Sequence, residues 1–380
     1  MRFDRRELAG AVADLGVFVP IAVALIVSNG LSPTAVLLPG ALLYLANAAF
    51  YRLPLPAQPL KAFGAIAIAE GLGSDEIAAG ALLLGALFLV AGRLGLIDQA
   101  ARAFPRALIR GVQLTVGLIF LKISWGLVTD PPNAFEGHAL PTTWTVALAA
   151  AAAVLVVAFR ASGASLVLVL GGSAVMLATA GGMPSFGPSA LTIPSLNGAV
   201  LLTAFTVLVV PQAPLSFANS CLATTDASRR YFGAERTRRV RPGSLATTFG
   251  LANVFAGSIS GMPVCHGAGG LTAHVSFGAR TAGAPLVMGI SLLTLAIVAG
   301  SGLATLLVAF PLPILAALLA SAGVLHIGLL RDLSGAREWA IALLVGGIGF
   351  QADLAIALVI GLALVWAPIG LRRVAAFATG

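Results

Sequence analysis

The sequence predicts an all-α polytopic membrane protein with fourteen transmembrane segments, arranged as two inverted repeats of seven. Three observations support this fold: the composition, the distribution of arginine along the chain, and short motifs that recur at a near-constant offset. Of the 380 residues, 59% are hydrophobic and only 9% are charged, and the mean hydropathy is +1.01. Soluble domains of ordinary composition are far more polar, so little of this chain is expected to lie outside a membrane.

Apolar runs that are long enough to cross a bilayer follow one another almost from end to end. A transmembrane helix needs about 20 apolar residues for a hydrocarbon core of about 30 Å. The charged residues 1–8 lack the apolar stretch and cleavage site of a signal peptide, so the first run is expected to remain as a span. The predicted spans are residues 10–28, 33–51, 57–72, 76–94, 106–127, 142–160, 163–180, 197–222, 243–259, 264–278, 283–302, 306–328, 337–350 and 353–371.

The basic residues predict the topology. Only Lys61 and Lys122 of the 22 basic residues are lysines, and the arginines cluster between spans, which favours a lipid-facing role over nucleic-acid binding. With a cytoplasmic N-terminus, every cluster falls on the cytoplasmic side of a cell (inner) membrane, and the C-terminus is cytoplasmic too. If the chain had one span fewer before residues 229–241, this arginine-rich segment would lie outside the cell, against the positive-inside rule. Fourteen spans are therefore favoured over thirteen. The arginine clusters are Arg2, Arg5 and Arg6; residues 93–110; Arg160; residues 229–241; Arg280; Arg331 and Arg337; and Arg372 and Arg373.

An internal repeat is visible in the sequence. Residues 45–47 (LAN) recur as residues 251–253, and the Phe-Pro pair at 104–105 recurs at 310–311, both at an offset of 206. Between them, the PAQP motif at 56–59 corresponds to PVCH at an offset of 207. This offset spans seven crossings, an odd number, so the halves have opposite orientations in the bilayer. Secondary transporters with this plan bind substrate at mid-membrane on discontinuous helices. The repeats are residues 1–195 and 196–380.

The stretch LPLPAQPLKAFG contains a break in the third span. Pro54, Pro56 and Pro59 lack amide donors and favour extended backbone before them, so a helix is expected to begin only near Pro59. From there to Leu72 a helix is about 21 Å long, too short to cross the bilayer. In the second half, residues 261–266 are the extended piece, and residues 267–277 form the short helix. Extended backbone at this depth must be buried, so we expect the two pieces to pair with each other.

The two short helices would then direct their N-termini at one another near the midplane. Each N-terminus offers unpaired N–H groups and about half a positive charge, which together favour an anion. Gly267, Gly269 and Gly270 allow a ligand to approach the backbone, and Lys61, one turn into the first short helix, adds a full charge. The pattern indicates a site for a small, multiply charged oxyanion. Two helix breaks without a ligand are the alternative, because membrane helices are rich in proline and glycine.

Candidate ligands lie at both helix starts and in span 8, where Pro211 and Pro214 are expected to interrupt the helix. Lys61 could instead pair with a backbone carbonyl or with Asp14, whose alternative role is proton coupling. His266 could bind substrate, pack while its backbone binds, or titrate as a coupling group. The predicted substrate-binding residues are Gln58, Pro59, Lys61, Gln212, Asn219, Cys265, His266, Gly267, Ala268 and Gly269, and the coupling candidates are Asp14 and His266.

Four segments carry a family resemblance: GAVADLGVFVPIAVAL, PAQPLKA, PQAPLSFANS and GMPVCHGAGGLTAHVSFGART. Over residues 7–281 the chain resembles the molybdate transporter family, which is related to the sulfate permeases. The resemblance implies molybdate uptake, with sulfate or tungstate as weaker ligands, on the inverted-repeat fold of sulfate and uracil permeases. It implies that spans 1–4 and 8–11 form a core that carries the site, and that spans 5–7 and 12–14 form a gate. Ala57, Leu60 and His274 depart from the family pattern.

The expected function is therefore a secondary active molybdate transporter that works by movement of core against gate, with proton coupling left open and a homodimer possible. A carrier of sulfate or of tetrahedral oxyanions in general is the main alternative, followed by a nucleobase permease and a passive anion channel. Residues 196–225 and 261–277 lack the acidic side chains expected of nucleobase permeases. The adjacent Cys265 and His266 would point to opposite faces of a strand, and no metal-ligand or acid/base set surrounds them in the sequence, so we expect no enzyme. We also expect no metal and no cofactor.

Overall fold

The computed structural model of the protein describes residues 1–131, 135, 137, 140–159, 164–180, 185–352, 354 and 356–366. Arg160, Arg372, Arg373 and the end of the last predicted span lie outside these residues. Helices or half-helices occupy the described part of every predicted span, and six are long and apolar enough to cross a bilayer by themselves. The protein is thus a multi-pass helical membrane protein, whereas the number of crossings stays a prediction.

The first half contains one short strand and eight helices within the described ranges. They are α1 (Arg5–Val27), α2 (Pro33–Tyr51), β1 (Gln58–Pro59), α3 (Lys61–Ala69), α4 (Ser74–Arg93), α5 (Leu96–Ala101), α6 (Arg106–Thr129), α7 (Thr142–Ala158) and α8 (Ala164–Thr179).

The second half, as far as it is described, repeats this order. Its elements are α9 (Gly198–Arg236), α10 (Pro242–Ser258), β2 (Val264–Cys265), α11 (Ala268–Phe277), α12 (Gly283–Val298), α13 (Leu303–Leu307), α14 (Leu312–Asp332), α15 (Ala336–Gln351) and α16 (Ile356–Trp366).

The packing of the helices follows the predicted repeat. Helix α4 packs along α10, and α2 packs along α12. The repeat relates α2 to α10 and α4 to α12. The pair α4–α10 in one half-to-half contact is therefore equivalent to the pair α12–α2 in the other. Helices α6 and α14, which are equivalent under the same shift, pack against each other.

The buried apolar side chains form two main clusters. One contains buried residues of α2, α4, α10 and α12, and the other contains residues of α6, α14 and α15. Helix α1 contributes Phe18 to the first cluster and Val17 to the second. The described residues therefore form two main apolar clusters rather than one, and the second also includes residues of α9 and α11.

The two extended pieces pair with each other, as predicted. Strands β1 and β2 are antiparallel, with Gln58 opposite Cys265 and Pro59 opposite Val264. Helix α3 has 9 residues and α11 has 10, so each is about 15 Å long, half the hydrocarbon core. The prediction that α3 begins near Pro59 is wrong by two residues. Pro59 lies in the strand because the Leu60 amide donates to the Pro263 carbonyl at 3.1 Å, which keeps Leu60 extended. Lys61 is thus the first residue of α3.

Repeat-related asparagines satisfy the extended backbone in each half. Asn47 Nδ2 donates to the carbonyls of Leu55 and Pro56 at 3.2 and 3.1 Å. Asn253 Nδ2 donates to the Val264 carbonyl at 2.8 Å, and Asn253 Oδ1 accepts from the Val264 amide at 2.7 Å. The recurring LAN motif therefore supplies the polar partners that non-helical backbone needs inside a membrane.

Span 8 differs from its prediction in two ways. Pro211 and Pro214 do not interrupt the helix, because π-helical turns at Ala204–Val209 and Ser216–Ala223 widen α9 on either side of them. The helix also continues to Phe232, where Gly233 with φ 76° and ψ 165° breaks it before a last helical turn to Arg236, so much of the arginine-rich segment that was expected to be a loop is helical. In span 12, the long helix begins only at Leu312, since Pro311 is extended.

Candidate anion-binding site

The N-termini of α3 and α11 lie on either side of the β1–β2 pair. First-turn amides have no acceptor within their own helix. Neither Leu60 nor Gly267, the N-cap residues, provides a side-chain cap. Gln212 Oε1 accepts from the Phe63 amide at 2.9 Å, and its Nε2 donates to Ser216 at 3.0 Å. Gln212 therefore stabilises the first half-helix from α9, which is a structural use of this predicted ligand.

Lys61 reaches from the first half-helix to the start of the second. Its Nζ lies 3.5 Å from the position that a Cβ on Gly267 would occupy, and 5.5 Å from the centre of the Phe120 ring on α6. Its side chain is buried and donates to Gln58 Oε1 at 2.8 Å. None of the ion pairs among the described residues includes Lys61, so a direct pair with Asp14 is not formed.

Gln58 links Lys61 to Asp14. Its Nε2 donates to Asp14 Oδ1, and the Tyr44 hydroxyl donates to Asp14 Oδ2 at 3.2 Å. The two charged neighbours fix the orientation of the amide, because an ammonium only donates and a carboxylate only accepts. Asp14 itself lies in a 3₁₀ turn, Val12–Asp14, within α1. It thus belongs to the site but touches Lys61 only through Gln58.

The glycines at the start of α11 make room for these side chains. A Cβ on Gly267 would overlap Gln58 Oε1, and one on Gly270 would lie 2.6 Å from Gln58 Nε2. A Cβ on Gly269 would lie 2.7 Å from the Phe120 ring. The close approach predicted for a ligand is therefore made, in this structure, by protein side chains.

Cys265 is opposite Gln58 in the strand pair, so both side chains lie on the same face. Cys265 and Cys221 are both buried free thiols. Asn219 lies in the π-helical turn of α9 that packs against α11, and within the described residues its buried Oδ1 has no hydrogen-bond partner. Ala268, the first residue of α11, is buried.

His266 points away from this face. Its Nε2 lies 2.8 Å from Thr248 Oγ1, and its Nδ1 lies 3.3 Å from the Pro56 carbonyl. His274 makes a similar contact, with its Nδ1 3.0 Å from the Pro54 carbonyl oxygen. The geometry matches the alternative in which the His266 side chain packs while its backbone borders the site.

A cavity of about 490 Å³ leads from Lys61 to Asp130, at the end of α6. Pro20 and Ile21 of α1 and Gly126 of α6 line it. Tyr44 and Phe120 are neighbours of the candidate ligands that the sequence did not predict. They lie on separate helices, and no local motif marks either of them.

Comparison with known proteins defines the family. The sequence matches the family described as molybdate transporter of the MFS superfamily over residues 6–120 and 204–325, more than half of the chain. The chain belongs to this molybdate transporter family. Membership confirms the resemblance, and it confirms the prediction of a transporter rather than an enzyme.

Two plant proteins are similar to this family member over most of its length. Molybdate transporter 1 of Arabidopsis thaliana is 28% identical, over 93% of this chain and 86% of its own length. Molybdate transporter 2 of the same plant is 27% identical, over 91% and 83%. Molybdate transporter 1 of Chlamydomonas reinhardtii is 41% identical, over 36% of this chain and 27% of its own length.

Solved structures confirm the predicted fold of the family member. The transmembrane domain of the cyanobacterium bicarbonate transporter BicA has a TM-score of 0.59 and 18% identity, covering 96% of this chain and 98% of that domain. Murine Solute Carrier 26 family member A9, an anion transporter in the inward-facing state, has a TM-score of 0.64 and 12% identity, covering 97% and 68%. These likenesses support the sulfate-permease-like inverted-repeat fold.

Proposed function

We propose that the protein is a secondary transporter that imports molybdate, and that it binds the anion at mid-membrane between the N-termini of α3 and α11. The observation that carries the proposal is the position of Lys61. Its ammonium belongs to one half-helix and lies against the N-terminus of the other.

The charges at this point favour an anion. Each helix N-terminus carries about half a positive charge, and Lys61 adds a full one. A cation beside a helix N-terminus is repelled, so the arrangement is stabilised by a negative group placed among the three. Asp14 lies close to the first turn of α11, with Oδ1 2.9 Å from the position of a Cβ on Gly270, but Gln58 separates it from the ammonium, so it does not pair with Lys61 directly.

The chemistry of the donors fits a tetrahedral dianion. Molybdate offers oxygen acceptors in four directions, and Lys61 and the first-turn amides, apart from the Phe63 amide that donates to Gln212, are donors that converge from two helices. These donors require no deprotonation to bind it. The similar plant proteins are molybdate transporters by name. Sulfate has the same charge and shape, so it is the competing substrate that the binding experiment must test.

The buried apolar clusters are consistent with movement of a core against a gate, because the second cluster packs α6, α14 and α15 against α1, α9 and α11 and so forms the contact between the two parts. In this proposal α1–α4 and α9–α12 form the core, and α6–α8 and α14–α16 form the gate, within repeats 1–195 and 196–380. The cavity between α1, α3 and α6 lies at the boundary of the two. Asp14 is the better coupling candidate, since it touches Gln58, whereas both ring nitrogens of His266 have other partners. We further propose a homodimer in the inner membrane, with cytoplasmic termini.

Equilibrium binding of labelled molybdate to the purified protein in detergent tests the proposal. Tungstate, sulfate and uracil serve as unlabelled competitors. We expect tight binding that tungstate displaces and that sulfate displaces only weakly. Equal displacement by sulfate would make the protein a general oxyanion carrier. Displacement by uracil alone, or no oxyanion binding, would reject the anion site.

A further inference from the structure

Arg110 is the largest of the fully buried side chains in the described residues. It lies one turn into α6, and its guanidinium has a polar partner on each nitrogen. Nη1 donates to Asp226 and, at 2.8 Å, to Gln113; Nε donates to Asp332 at 2.8 Å, and Nη2 also donates to Asp332. A buried charge is tolerated only when it is paired in this way.

The partners of Arg110 come from different parts of the fold. Asp226 lies on the last part of α9, and Asp332 is the last residue of α14. Arg230, one turn after Asp226 on α9, also pairs with Asp332 and donates to the Leu329 carbonyl at 3.1 Å. In the proposed division, α9 belongs to the core, and α6 and α14 belong to the gate. Two of these ion pairs, Arg110–Asp226 and Arg230–Asp332, therefore cross the boundary between core and gate.

This cluster and the cavity lie at opposite ends of α6. The cavity runs from Lys61 to Asp130, which follows the C-terminal end of the helix. Arg110 lies near the N-terminal end, and the 24 residues of α6 span about 36 Å. A second cavity of about 530 Å³ lies beside Asp226 at the other end of α6, but Lys61 does not line it. The path to Lys61 is thus open from the Asp130 end, while paired charges lie at the Arg110 end.

We infer that Arg110, Asp226, Arg230 and Asp332 form a latch that holds the cytoplasmic side closed while the cavity faces the opposite side. The inference rests on the proposed transport function for its division into core and gate. Asp226, Asp332 and Arg230 are about one quarter to one third exposed, so water can replace their partners when the two parts separate. The Arg230–Asp332 pair is accessible enough to water to break in each cycle, and the buried Arg110 keeps its bonds to Asp332 within the gate when Asp226 separates from it.

Cys265 provides a native reporter for the latch. It is buried beside Lys61, and in a Cys221→Ser background it is the sole thiol of the chain. The experiment measures the rate at which a membrane-impermeant maleimide labels Cys265 in inside-out vesicles, which expose the cytoplasmic side. Asp226→Asn and Arg230→Gln each remove one pair between core and gate. We expect each to raise the rate at least about tenfold, which corresponds to about 1.4 kcal/mol in the equilibrium between the two conformations.

Arg106→Gln is the matched control. Arg106 lies one turn before Arg110 and pairs at 2.9 Å with Glu338 of α15, so its ion pair stays within the gate. This variant should label at the parental rate, and so should Asp226→Glu, which retains the charge.

Parental labelling rates in both Asp226→Asn and Arg230→Gln would overturn the latch. An equal increase in Arg106→Gln would also overturn it, since any loss of charge would then loosen the protein. Each variant must elute as a single peak in size-exclusion chromatography, which shows that it is folded. If one of Asp226→Asn and Arg230→Gln fails this check, the labelling rate of the other variant alone tests the latch. Labelling needs no molybdate, so raised labelling in a protein that binds no oxyanion would retain the latch and reject the proposed substrate.

Discussion

Replacing Lys61 by alanine tests the central element of the site. The substitution removes a full positive charge that lies against the N-terminus of α11, while alanine is well tolerated in the first turn of a helix. Gln58 loses its donor at 2.8 Å, and the negative charge of Asp14 on its other side is no longer offset by the ammonium. Both changes weaken the binding of a dianion.

The size of the effect follows from the contact that is lost. A hydrogen bond to a charged group contributes about 1.5–3 kcal/mol net. Its removal should therefore raise the Kd for molybdate by about 10-fold to 150-fold. Titration of labelled molybdate against the purified variant in detergent measures this directly.

Lys122 supplies the control, because it is the other lysine of the chain. It lies on α6, is exposed, and its Nζ is 5.9 Å from the centre of the Phe350 ring. Lys122→Ala should bind molybdate with unchanged affinity. The reasoning is refuted if Lys61→Ala also keeps its Kd within about threefold of the parent, well below the loss of one charged hydrogen bond.

Three further substitutions test other parts of the site. Gly267→Ala should abolish molybdate binding, because a Cβ there displaces Gln58; Gly347→Ala, where a Cβ meets open space, is the control, and equal Kd values in the two would contradict the argument. Asn253→Ala should lower the thermal midpoint in detergent, since it leaves two buried backbone groups unpaired at about 1–3 kcal/mol each; an unchanged midpoint would show that they find other partners. Asp14→Asn should remove the response of molybdate uptake to an imposed proton gradient while binding persists, and uptake that still follows the gradient would exclude Asp14 as the coupling group.

The half-helices were predictable from the sequence because their cause is local. Proline removes amide donors wherever it occurs, so Pro54, Pro56 and Pro59 exclude a helix without reference to any other residue. The repeated LAN motif identified the two halves, and the structure shows its physical role in Asn47 and Asn253.

The partners of the candidate residues were not predictable in the same way. Gln212 accepts a hydrogen bond from the amide of Phe63, which is 149 residues away in the sequence, and Arg110 pairs with Asp332, which is 222 residues away. Contacts of this kind depend on how helices pack, which leaves no periodic trace in one sequence. The prolines of span 8 show the limit even for local rules, because π-helical turns allow α9 to continue through them.

The β1–β2 pair joins one half-helix from each repeat into a single rigid unit. If this unit moves as a body, the same amides and the same ammonium face the anion from either side of the membrane. The anion is then released without dismantling the site, because the donors on the two half-helices stay together. Net accumulation must come from the electrochemical gradient of whatever ion accompanies the anion, and reversal of that gradient would run the carrier backwards.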